Sequence, residues 1–120
     1  AVDVHGVRLV AERVADGVDG GALRALAGEV RGRFGSEPAV VALFSADTEG
    51  GKVSFVVGAN NAAQDLGVAA GELVPGFAGE VGGRGGGKRD MAQGGGSRPD
   101  GIDSAITALR TAVDRAVSSG

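Results

Sequence analysis

The chain has 120 residues, 42% of them hydrophobic and 22% charged, with a formal net charge of −3 at pH 7. That is one domain's worth of chain with the apolar content of a folded protein, and it excludes a disordered polar segment. The lack of cysteine excludes disulfides and thiolate metal sites, and no apolar run approaches the roughly 20 residues of a membrane-spanning helix.

The start, Ala1-Val2-Asp3-Val4, has neither an initiating Met nor the basic flank and apolar stretch of a signal peptide, and reads as a piece of something longer. From Val7 to Val14, the alternation of Val7, Leu9 and Ala11 with Arg8 and Glu12 predicts a half-buried strand. Asp19-Gly20-Gly21 breaks the chain. Leu23, Leu26, Ala27, Val30 and Phe34 then form the apolar stripe of a helix over about 21–34, with Arg24, Glu29, Arg31 and Arg33 outward and Gly35 placed to end it. The unbroken apolar run from Ala39 to Phe44 suits a central strand covered on both faces. A hairpin signal at Glu49-Gly50-Gly51 returns the chain as a partner strand, Val53 to Val57.

Two helices are expected next, over about 61–66 and 70–81, interrupted by Gly67 and Pro75. The 18 residues from Gly82 to Pro99 hold eight glycines and read as a loop, with room for a short strand at Asp90–Gln93. A last helix spans about 101–117, with Asp100 as its N-cap and Ile102, Ile106, Leu109, Val113 and Val117 as its stripe. The expected fold is a single α/β domain over residues 1–120, a small mixed sheet with helices packed on it.

The glycine segment is the feature that scaffold alone does not demand. It carries Arg84, Lys88, Arg89 and Arg98 against one acid, Asp90, so it holds +3 and leaves −6 for the rest. Long loops inside compact domains are uncommon and usually functional or disordered. A run of glycines lets backbone approach backbone or phosphate, and its N–H groups can form an anion-binding nest. Gly82-x-x-x-x-Gly87-Lys88 is close to a nucleotide P-loop, but Arg89 stands where a magnesium-binding hydroxyl belongs and a helix, not a strand, precedes it. Gly85-x-Gly87 lacks the third glycine of a dinucleotide fingerprint, because Asp90 occupies that position. Two readings stay open: a glycine-rich strand passing close beneath a helix, with solvated charges, or a surface for a phosphate backbone.

The run Gly83-Arg-Gly-Gly-Gly-Lys-Arg-Asp-Met-Ala-Gln-Gly-Gly-Gly96 resembles the signature near the C-terminus of the alanyl-tRNA synthetase family. Leu23-Arg24-x-Leu26-Ala27, Ala39-Val40-Val41-Ala42-Leu43 and the order of the remaining elements resemble the same region, so that the likeness covers essentially the whole chain. The resemblance implies a DHH-associated C-terminal domain of cytoplasmic location. Its partners would be tRNA(Ala), gripped at the elbow, and the other domains of a parent ligase. It implies no catalysis and no cofactor or metal in this domain. By the same likeness Arg84, Lys88 and Arg89 are the expected phosphate partners, helped by the N–H groups of Gly85, Gly86 and Gly87, with Gln93 and Arg98 as weaker candidates and Met91 as core. The alternatives are the substrate-gripping domain of a DHH phosphoesterase and a protein-docking domain. The single histidine, His5, reads as surface and could not anchor a zinc site or a catalytic triad.

Overall fold

The computed structural model describes residues 2–47 and 49–118. In chain order these form β1 (Val2–Val4), β2 (Val7–Arg13), α1 (Gly20–Gly32), β3 (Ala39–Asp47), β4 (Lys52–Ala59), α2 (Asn61–Asp65) and α3 (Ala70–Phe77). A 3-10 turn (Ala78–Val81), β5 (Arg84–Gly87), β6 (Met91–Gly96), a second 3-10 turn (Pro99–Gly101) and α4 (Ile102–Ser118) complete them. Among the described residues the strands make one mixed sheet in the order β1-β2-β3-β4-β6-β5. Only β2 and β3 run parallel, and α1 supplies the crossover that a parallel pair requires.

The alternation of side chains along β3 sorts the core into two layers. Val40, Ala42, Phe44 and Ala46 face α3 and α4, whereas Val41 and Leu43 face Leu23 and Ala27 of α1. The unbroken apolar run is therefore a strand buried on both faces, as expected. On the α3–α4 side, Phe44, Phe55 and Phe77 meet with ring centroids 5.0–6.0 Å apart. The other side holds Val56 and Met91 beneath α1. Asp19 caps α1 by accepting from Ala22 N at 2.8 Å, and buried Ser45 ties down the approach to that helix. Its Oγ donates to Ala15 O and accepts from Val18 N.

Several expectations need correction. Leu26, placed in the apolar stripe of α1, is 36% exposed, because the helix beds on Leu23 and Ala27 instead. The helix expected to reach Val81 stops at Phe77 and tightens into the 3-10 turn. Asp100 lies inside the turn that leads into α4, where Pro99 fixes the first position, and so is not a simple N-cap. β1 was not expected; it is three residues folded back on β2 through a turn in which His5 and Gly6 both have positive φ.

Asn60 ties the start of β3 to the start of α2. Its Oδ1 accepts from Ala39 N and Ala63 N, both at 3.0 Å, and its Nδ2 donates to Glu37 O at 2.6 Å. Asn60→Ala removes the α2 cap and strands the part-buried Ala39 N–H, so a loss of about 2 kcal/mol is expected, read as a lower urea midpoint at unchanged slope.

Candidate nucleic-acid interface

The glycine segment is not a loop. Residues 84–87 and 91–96 are antiparallel strands, and β6 inserts between β4 and β5 with Val53 opposite Gly96 and Gly58 opposite Met91. Glycine offers no side chain for a pattern to show; pairing with β4 makes the strand. The same residues explain why side chains are absent. A Cβ on Gly94 would run into Arg84 O, Gly85 Cα and Phe55 Cζ, because the ribbon coils tightly over the α3 face. β5 also passes beneath α3, where a Cβ on Gly71 would lie 2.7 Å from Gly87 O. The structural reading of the glycines thus holds for that face.

The tip is anchored by its backbone. Lys88 O accepts from Gly71 N at 3.0 Å and Arg89 O from Ala70 N at 2.8 Å, so two free N–H groups of α3's first turn are satisfied by the hairpin. Asp90 O accepts from Ala59 N at 2.9 Å and from Arg31 Nη1 at 2.7 Å. Three successive carbonyls therefore face the scaffold, and Lys88 N donates to Met91 O at 2.9 Å. Gly85, Gly86 and Gly87 do not form a loop nest; they lie in the outermost strand, whose alternate N–H groups point away from the sheet.

Arg84, Lys88 and Arg89 are exposed. Register puts Arg84 opposite Gly95, Gly86 opposite Gln93 and Gln93 opposite Val56, so Arg84, Gly86 and Gln93 share the α1 face. The Lys88–Met91 pairing brings Lys88 to that face too. Half-buried Gln93 accepts at Oε1 from Arg24 Nη1 at 2.9 Å. Its partner is a side chain of α1. Arg98 stands apart at the base of the ribbon, packed against Gly82. Met91 is core, as expected.

Sequence reasoning missed Arg24 and Arg31, which it assigned to the solvated side of α1. Their i, i+7 spacing puts both on one flank, the flank that meets β6. The cluster Arg24, Arg31, Arg84, Lys88 and Arg89 is countered locally by Asp90. The ion pairs among the described residues lie elsewhere: His5–Asp114, Arg8–Glu37 and Arg13–Asp16. Among the described residues no group of three or more His, Asp or Glu could hold a metal, and no helix is long and apolar enough to cross a membrane.

The DHHA1 domain model matches residues 6–115. The chain belongs to the DHHA1 domain family. Within that family its likeness is to the alanyl-tRNA synthetase form. An alanine–tRNA ligase from Saccharopolyspora erythraea is 77% identical over 118 residues, which are 98% of this chain and 13% of the relative. The chain thus spans about an eighth of the curated relatives it matches. The crystal structure of the C-Ala domain of Aquifex aeolicus alanyl-tRNA synthetase superimposes with a TM-score of 0.79 at 32% identity, covering 88% of this DHHA1 chain and 90% of that one. A DHH-domain structure described as a member of the S1p family of ribosomal proteins matches with a TM-score of 0.58 at 15% identity, over 81% of this chain and 21% of that one, and shows the shared fold alone.

Proposed function

We propose that this DHHA1 domain is a non-catalytic RNA-binding module of an alanine–tRNA ligase, that it acts in the cytoplasm, and that it grips the elbow of tRNA(Ala) so that aminoacylation and editing work on one held substrate. The observation that carries the reading is the cluster of Arg84, Lys88 and Arg89, exposed and without carboxylate partners among the described residues, on a hairpin whose own backbone is anchored to α3 and β4. Such side chains can turn to phosphate without giving up an internal bond. The likeness to the synthetase C-Ala domain supports the parent context.

The test is a titration of the domain with a tRNA(Ala) transcript, beside an unrelated RNA hairpin of equal length, over a range of salt. Three phosphate contacts give a slope of log K against log salt of about −2 to −3. Tighter binding of the transcript supports an elbow contact. Equal binding of both RNAs reduces the hairpin to a general phosphate grip. No binding at low salt returns the domain to a docking role within its parent.

A further inference from the structure

The glycines of β5 are not equivalent. Gly85 and Gly87 are required by the fold, since a Cβ on either would meet β6 backbone atoms at 2.5–2.7 Å. Gly86 between them is different: an added Cβ meets nothing within 4 Å, and its φ is not positive. Glycine weakens a strand interior and often marks a bulge, a tight bend or a close approach of a ligand or another backbone; no protein backbone comes close on this face of Gly86. Gly28 is a second case. It lies in mid-helix, where glycine is unfavourable, and a Cβ there also meets nothing within 4 Å. Positions 24, 28 and 31 share one flank of α1, the flank whose arginines reach Gln93 and Asp90.

These residues outline a groove. Arg24, Gly28 and Arg31 make its wall, the Gln93 side chain and the bare backbone of Gly86 its floor, and Arg84 and Lys88 its outer rim. Gln93 holds the Arg24 guanidinium over the floor. Arg24 thus stands above β6 and Arg84 on β5, one strand further out, so the two rows of cations are separated by about 5–10 Å. That is room for one sugar–phosphate strand, not two paired ones. The floor has no aromatic platform: Phe44, Phe55 and Phe77 are locked together in the core, and Phe34 packs against the α1 layer.

We propose that the site is two-sided: Arg24 is a further RNA contact, facing Arg84 and Lys88 across Gly86, and a single unpaired RNA strand lies between them. This rests on the RNA-binding reading above. The experiment compares the unchanged domain, the triple variant Arg84→Ala/Lys88→Ala/Arg89→Ala, Arg24→Gln and Gly86→Val against the tRNA(Ala) transcript. A 12-nucleotide RNA, free or annealed to its complement, serves as competitor. Arg24→Gln is expected to flatten the salt slope by about 0.7, one single-strand phosphate contact. Gly86→Val is expected to weaken binding about tenfold with the salt slope and thermal midpoint retained, because its Cβ meets nothing within 4 Å and its methyls fill the floor beside Gln93. The free 12-mer is expected to displace the transcript at lower concentration than the duplex. If the triple variant loses binding while Arg24→Gln and Gly86→Val bind like the unchanged domain, the two-sided site is overturned and the hairpin reading stands. If the duplex is the better competitor, the single-strand occupant is overturned. If the triple variant binds normally, the hairpin reading falls and the groove with it.

Discussion

With Arg84, Lys88 and Arg89 replaced together by alanine, tRNA binding is expected to fall below detection at physiological salt, with the unfolding midpoint unchanged. The two halves of that expectation have separate causes. Binding is lost because the three side chains are the exposed cations of the hairpin and the rest of the chain is acidic; the net charge moves from −3 to −6, so long-range attraction turns to repulsion. Each lost phosphate contact flattens the salt slope by about 0.7–0.9, so three remove most of it and leave only the contribution proposed for Arg24. Stability is kept because the tip is held by carbonyls, Lys88 O and Arg89 O on the first turn of α3 and Asp90 O on Ala59 N, none of which depends on a side chain of the triple. Fluorescence anisotropy against salt reads the first half and thermal denaturation the second. A triple variant that binds with the original slope would place the RNA contacts elsewhere on the domain.

Those three cations stood out in the sequence as part of a local excess of charge, and the family resemblance singled them out, but their setting was not legible. Alternation showed β2, helical period showed α1 and α4, an unbroken apolar run showed β3, and the hairpin signal after it showed β4. Phe44 and Phe55, in the predicted central strands, do lie at the centre of the larger core. The short strand expected at Asp90–Gln93 overlaps the start of β6, Met91–Gly96, but β5 and the glycine end of β6 have no side chains to sort. β5 and β6 are strands by virtue of what they pair with, and a glycine run carries no sign of β4 or α3 as neighbours. From that one gap the other omission follows. Arg24 and Arg31 could be placed on a helix flank, yet without β6 beside that flank nothing distinguished them from ordinary solvated arginines. Gln93 was similarly a residue without a partner until α1 stood over it. The β1 turn was hidden for a different reason: three residues are too few for a period to show, and a positive φ at His5 is not what a histidine advertises.

The second large effect expected is on stability, and it distinguishes glycines that the fold needs from those it does not. Gly94→Val should destabilise the domain by about 3 kcal/mol, the upper part of the range for overpacking a core. β6 runs between β4 and β5 at this point, with Phe55 on one side of Gly94 and Gly85 on the other. A Cβ would overlap Arg84 O and lie 2.6 Å from Gly85 Cα and 2.7 Å from Phe55 Cζ. None of the three can withdraw cheaply. Phe55 is packed edge-on against Phe77, with centroids 5.0 Å apart, and against Phe44. β5 is fixed at its tip by α3 and cannot slide outward. Gly86→Val, one strand away, gains a strand-favouring side chain in open space and should be neutral or slightly stabilising. Both variants add the same atoms to the same ribbon, so a general dislike of valine cannot separate them. Urea denaturation followed by circular dichroism should therefore give a much lower midpoint for Gly94→Val than for Gly86→Val. Equal midpoints would mean that the ribbon relaxes freely, and that its glycines serve the ligand face and not the coil against α3.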